Sequence, residues 1–214
     1  MNRDPIPDAK RVDYRRGVLL EADAGDDPFA LFSVWYREAC GDAAIVEPNG
    51  MTLATVDASA RPAARVVLMK AFDRRGLVFF TNYASRKGRE LDAHPAAAAV
   101  LWWQPHERQV RFEGRVERTS VEESEAYFAS RPVEARCAAV ASRQSEVLAD
   151  RAELERRFEA LNAAATPPAR PEHWGGYRLL ADVVEFWQGR PSRLHDRLRF
   201  VCDGTGWRRE RLSP

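Results

Sequence analysis

The chain has 214 residues, 45% hydrophobic and 30% charged, with a formal net charge of +1. That balance suits a globular protein with a sizeable core, and it offers no bulk charge to attract nucleic acid or an acidic membrane. Any bound anion must therefore be held by local clusters. The longest apolar run, residues 96–103, is too short to span a bilayer, and the opening MNRDPIPDAKR has no signal-peptide core. Cys40, Cys137 and Cys202 form no CxxC pattern, so reduced thiols, a cytoplasmic setting and no metal site are expected.

In chain order, residues 1–25 are expected as a mobile N-terminal arm rich in charge and small residues, followed by one domain over 26–214. Asp26-Asp27-Pro28 opens a helix by acidic capping and a first-turn proline, and Gly41 ends it. Residues 51–57, 64–73 and 77–82 are β-rich runs joined by turn-forming sequences. A helix over 85–94 intervenes, then strands over 97–104 and 108–119. Ser120 and Glu123 form a capping box for a helix to about Ser130. A further helix is predicted over 149–162, and strands over 176–188, 193–203 and 207–213. Short antiparallel strands with inserted helices imply a mainly β protein, a barrel carrying helices outside.

Several segments concentrate cations where anions would be welcome. Of the 33 basic residues only Lys10, Lys70 and Lys87 are lysines, and two of them lie in such segments. Ser85 is a good N-cap, which places Arg86 and Lys87 in a first helical turn. Cations there oppose the helix dipole unless an anion occupies the helix start; an exposed basic turn is the alternative. On the run Arg65-Val66-Val67-Leu68-Met69-Lys70, period-2 alternation puts Arg65 and Lys70 on opposite faces, serving different partners unless a bulge intervenes. They hold a ligand phosphate, or they are strand-end charges reaching water. In 193–197, strand alternation puts Arg193, His195 and Arg197 on one face, beneath an electron-rich ligand or on a plain charged surface, with Trp187 close upstream. Tyr127 and Arg131 share a helix face at i and i+4, as an anion grip or an ordinary stacking pair. Gln109 either meets a heterocycle edge or faces solvent, and Gln144-Ser145 are ligand donors or a helix cap.

The ordered motifs RVVLMK, FFTNYASRKGREL, RQVRFEG, YFASRP, SRQS, HWGGYRL, VEFWQGRPSRLHDR and WRRERLSP resemble the pyridoxamine 5′-phosphate oxidase family from about residue 11 to 214. The resemblance implies an antiparallel, Greek-key-like FMN-binding split barrel working as a homodimer, with FMN at the subunit interface. It implies that Arg65, Arg86 and Lys87 hold the FMN phosphate and ribityl end, within a cofactor strand Arg65, Val66, Val67, Leu68, Met69 and Lys70. Phe80, Thr81 and Gln109 would line the flavin, and Gln144, Ser145, Trp187 and Arg197 would close its site. Lys70, Tyr127 and Arg131 would bind the substrate phosphate. Arg193 and His195 would be the catalytic pair over the substrate ring, and Arg11 and Tyr14 would belong to a lid.

The activity so implied is oxidation of pyridoxamine or pyridoxine 5′-phosphate by dioxygen, giving pyridoxal 5′-phosphate and hydrogen peroxide. The stretch Ala135-Arg136-Cys137-Ala138-Ala139-Val140 departs from the family pattern, because Ala135 replaces a usual serine phosphate donor. Arg136 is the candidate replacement. The departure keeps open a related flavin oxidase acting on a phenazine precursor. A non-catalytic flavin- or pyridoxal-phosphate-binding protein is the other alternative.

Overall fold

The computed structural model describes residues 13–214; Arg11 lies outside the described residues. The helices are α1 (Glu21–Ala24), α2 (Pro28–Gly41), α3 (Arg86–Ala93), α4 (Val121–Ser130), α5 (Val133–Ala141) and α6 (Arg151–Asn162). The strands are β1 (Gly50–Val56), β2 (Pro62–Leu68), β3 (Ala71–Asp73), β4 (Gly76–Asn82) and β5 (Ala96–Trp103). They continue with β6 (Arg108–Arg118), β7 (Trp174–Gln188), β8 (Asp196–Cys202) and β9 (Trp207–Arg211).

Local chemistry accounts for the helix starts. The Asp27 carboxylate accepts the Phe29 N–H at 2.9 Å, and Pro28 occupies the first turn of α2. Ser120 and Glu123 form the expected reciprocal capping box of α4. Ser85 caps α3 by accepting the Gly88 N–H at 3.3 Å, so Arg86 and Lys87 do stand in its first turn. Gly88 is required there, since a Cβ would lie 1.9 Å from the Tyr83 carbonyl oxygen. This close approach clamps the start of α3 against the end of β4.

All strand pairings are antiparallel, in the order β2-β1-β5-β6-β7-β4-β3, with β8 and β9 continuing from β7. The long strand β7 divides the sheet. Its residues 174–180 pair with β4 and 183–188 with β8, while β6 runs along the other edge with a bulge at Glu113/Gly114. The sheet edges β2 and β3 are joined by the short step Met69-Lys70 without a ladder between β2 and β4. The result is a split barrel. Strand side chains make up most of its core and the apolar face of α2 packs against them: Phe32 is fully buried and meets Phe72 and Phe112 edge-on at 4.8 and 4.9 Å. Burying such a side chain contributes roughly 1.5–3 kcal/mol, with a further increment from the ring contacts. Among the described residues no helix is long and apolar enough to cross a membrane.

Two expectations change, and one unassigned stretch gains an element. The run 64–73 is two strands: β2 stops at Leu68, the Met69 N–H donates to the Asn49 carbonyl and the Lys70 N–H to the Val78 carbonyl. The alternation is thereby interrupted between Arg65 and Lys70. The alanine-rich stretch after Pro132, given no element above, is the helix α5. The strand expected from 193 begins only at Asp196, because Pro191–Arg193 forms a 3-10 turn. Of the N-terminal stretch, residues 17–19 lie against the β7–β9 end. The Leu19 N–H donates to Asp196 at 3.1 Å, and Arg190 and Arg211 donate to the carbonyls of Gly17 and Leu19.

Candidate active site

A cleft of about 870 Å³ opens between the diverging strands β2 and β4. β2 and the step after it contribute Arg65, Val66, Val67, Leu68 and Lys70, and β4 contributes Phe80 and Thr81. Arg65 and Lys70 thus line one cleft rather than serving opposite faces, because the chain turns out of β2 before Lys70. The opposite wall carries Tyr127, Arg131, Gln144 and Ser145 from α4 and the segments beyond it. Met69 is placed differently: its side chain is 3% exposed and packs in the hydrophobic core.

Lys87 projects from the start of α3 into this cleft and is only 8% exposed. Its ammonium meets Thr81 Oγ1 at 3.1 Å, Gln144 Oε1 at 3.0 Å and Ser85 Oγ at 3.4 Å, all neutral acceptors. Among the described residues no carboxylate pairs with it. Burial, then the nearby Arg65 cation, pulls its pKa below the usual lysine value, and Glu90 offsets part of this. A buried cation short of counter-charge is what an anionic ligand would complete.

Glu90, 4% exposed, lies behind these cations. Its Oε2 accepts from Arg65 at 2.9 Å and from Thr55 Oγ1 at 2.5 Å, and its Oε1 accepts from Arg86 at 2.7 Å. Burial pushes this carboxyl up, but hydrogen bonds from Thr55, Arg86 and Arg65 outweigh it and hold the pKa below the usual glutamate value. Arg86 itself stands outside the cleft wall with a 59% exposed side chain.

The far wall is aromatic. Phe80 stacks on Tyr127 with centroids 3.9 Å apart, and Trp174 continues the stack at 5.7 Å from Phe80. The Arg131 guanidinium lies 4.9 Å from the Trp174 ring. Its Nη1 is buried and has no hydrogen-bond partner among the described residues. Ala135 and Arg136 lie on α5 and neither lines the cleft, whereas Ser142, which sequence reasoning passed over, does.

The remaining candidates gather elsewhere, and none lines this cleft. Trp102, Gln109, Trp187 and Arg197 are directly opposite one another across β5, β6, β7 and β8, so they form one row on one sheet face. His195 packs 4.6 Å from Trp187 and 5.7 Å from Tyr14. The Arg190 N–H donates to His195 Nδ1 at 3.1 Å. Burial and then Arg193 lower the imidazole pKa, with Asp196 opposing, which favours the neutral ring. Arg193 is exposed and, like Ser192, has a left-handed backbone (φ 62° and 57°). It shares no strand face with His195, as the 3-10 turn intervenes. Arg197 is aimed by the buried Glu185, which accepts from Arg197 Nε and from Arg111 at 2.8 Å each.

Sequence reasoning missed Glu90, Thr55, Trp174 and Glu185. Two signals were available: Glu90 lies four residues after Arg86 on one helix, and Glu185 is a lone carboxylate in the apolar run VVEFW.

Two family models match the chain. One, described as pyridoxamine 5′-phosphate oxidase, covers residues 41–164; the other, described as the pyridoxine 5′-phosphate oxidase C-terminal dimerisation region, covers 174–214. A pyridoxine/pyridoxamine 5′-phosphate oxidase of Burkholderia multivorans is 58% identical over 95% of this chain and 97% of its own length. One from Thermosynechococcus vestitus is 58% identical over 98% and 99%. Among solved structures, PhzG of Burkholderia lata, in complex with tetrahydrophenazine-1-carboxylic acid, is 33% identical with a TM-score of 0.87, over 92% of this chain and 98% of that one. A pyridoxamine 5′-phosphate oxidase-related, FMN-binding protein of Nostoc punctiforme shares the fold at a TM-score of 0.71 and 17% identity, over 87% and 98%. On the two models and these nearly full-length relatives, the chain belongs to the pyridoxamine 5′-phosphate oxidase family.

Proposed function

We propose that this chain is an FMN-dependent oxidase of pyridoxamine and pyridoxine 5′-phosphates. The observation that carries the reading is Lys87, a buried cation among neutral acceptors beside Arg65, in a cleft that also holds the unpartnered Arg131 Nη1. Such a cleft fits a phosphorylated cofactor and a phosphorylated substrate. Lys87, Arg65 and Arg86 would hold the FMN phosphate, with Thr81, Gln144 and Ser145 as neutral partners. Tyr127, Arg131 and Lys70 would take the substrate phosphate. FMN, when bound, supplies the two-electron acceptor for the amine- or alcohol-bearing carbon, with dioxygen as final acceptor.

The chain's own work is then binding, orientation and exclusion of water. Phosphate binding at Arg131, remote from the reacting carbon, fixes the ring against the Phe80–Tyr127 wall. The second row would complete the cleft of a partner subunit in a homodimer, since Trp187 and Arg197 fall in the segment matched by the dimerisation model. His195, with Nδ1 engaged by Arg190, offers Nε2 as a donor, and Arg193 brings a positive charge over the substrate ring. Tyr14, packed edge-on against Trp187 at 5.7 Å, would close this side as part of a lid.

The test is to purify the protein, record flavin absorbance, and follow oxygen uptake with each phosphorylated vitamer. Bound FMN with turnover of either supports the reading, and absence of flavin sinks it. Bound flavin without turnover of either vitamer favours a phenazine-type substrate, the alternative raised by the likeness to PhzG and by Ala135.

A further inference from the structure

Resting on the reading of this cleft as a flavin-phosphate site, we infer that Glu90 is its positioning residue. Its buried carboxylate sets the guanidinium groups of Arg65 and Arg86 in the arrangement a phosphate ester fits. One oxygen takes Arg86, and the other takes Arg65 and the Thr55 hydroxyl, so the two arginines from different elements are pinned to one rigid point. Thr55 is 1% exposed on β1 and Glu90 is 4% exposed on α3, so the anchor itself cannot drift.

Charge counting supports the role. Arg65, Arg86 and Lys87 bring three positive charges and Glu90 removes one, leaving two. A phosphate monoester carries close to two negative charges at neutral pH, so the site balances its ligand. Pairing with Glu90 does not exhaust the arginines, since each guanidinium has five N–H donors. Without the carboxylate, three like charges share one small volume. Arg86, already 59% exposed at its side chain, is then free to swing into water.

Glu90 also acts on Lys87. The charges acting on that ammonium are Arg65 on β2 and Glu90 on α3; Arg86 precedes it in the chain outside the cleft wall, Lys70 follows Arg65 on the same wall, Arg131 lines the opposite wall, and Thr81, Ser85, Gln144 and Tyr127 are uncharged. Glu90 is the one anion among them and sustains the Lys87 cation against burial and Arg65.

The experiment compares FMN with riboflavin, which lacks the phosphate, by quenching of flavin fluorescence on binding to the full-length protein. Glu90→Gln is expected to weaken FMN about tenfold while riboflavin changes less than about twofold. The decline of FMN affinity with rising pH should also begin at lower pH in the variant. Equal loss for both flavins overturns the inference by showing a general structural role. Unchanged or tighter FMN binding overturns it too, because Glu90 would then be a competitor of the phosphate. If Glu90→Gln does not fold, Thr55→Val decides by the same FMN-to-riboflavin ratio. Failure of the wild-type chain to bind either flavin is a separate result, and it rejects the proposed function rather than the role of Glu90.

Discussion

The cleft between β2 and β4 and the row at the end of β5–β8 hold cations in opposite ways. In the cleft, Lys87 is 8% exposed, and Arg65 is tied to Glu90. At the row Trp102 is 43% exposed, and beside it Arg193 stands in solvent on a left-handed backbone. Yet each region contains the same device, a buried glutamate bridging two arginines: Glu90 between Arg65 and Arg86, Glu185 between Arg197 and Arg111. The difference lies in Lys87, a cation buried among neutral acceptors in the cleft, whereas the row is a partly exposed surface on which Trp102 still meets water.

The strongest way to break the comparison is Lys87→Met. If the cleft alone anchors the phosphate, FMN affinity falls about a hundredfold, the worth of a buried charge-assisted contact, with riboflavin far less affected. The wild-type FMN dissociation constant should also rise with pH. Lys87 must be protonated to hold the dianion, and burial lowers its pKa, so the cation is lost at a pH where an ordinary lysine keeps it. Lys87→Met should flatten that pH dependence. A steep dependence persisting in the variant would assign the titration to another group.

Arg193→Ala tests the other region. Turnover with pyridoxamine 5′-phosphate should drop on the order of thirtyfold while FMN remains bound, since its lost charge acts on the substrate ring. Loss of flavin in this variant would place Arg193 in the cofactor site instead. Mixing the two defective chains sharpens the point. If cleft and row from different subunits form one site, refolded mixtures of Lys87→Met and Arg193→Ala should recover about a quarter of wild-type activity, because each mixed dimer has one intact site. No recovery would mean that each chain builds its site alone.

The smallest effect is expected at Ser192. Its φ of 57° costs a non-glycine residue about 1 kcal/mol, so Ser192→Gly should raise thermal stability by a few tenths to 1 kcal/mol. If the turn's conformation also aims Arg193, the same variant should lower turnover slightly. An unchanged turnover would separate the turn's shape from the arginine's role.

Much of this was legible in the sequence. The caps at Asp27, Ser85 and Ser120, the helices α2, α3, α4 and α6, and the placing of Arg86 and Lys87 in a first helical turn depend on neighbours a few residues away. The ordered motifs likewise carried the family. Three things depended on the tertiary structure, each for a physical reason. Arg65 and Lys70 line one cleft because the barrel's two edges meet at Met69-Lys70, which breaks the alternation that would have separated them. Arg193 leaves the strand face of Arg197 because β8 begins only at Asp196 and Ser192 and Arg193 take left-handed backbone angles before it, which period-2 reasoning does not foresee. Thr55 and Glu90 meet across 35 residues, and Arg197 reaches Glu185 only through the register of β7 with β8. Local sequence can name a buried carboxylate, but only long-range packing decides which cations it will hold.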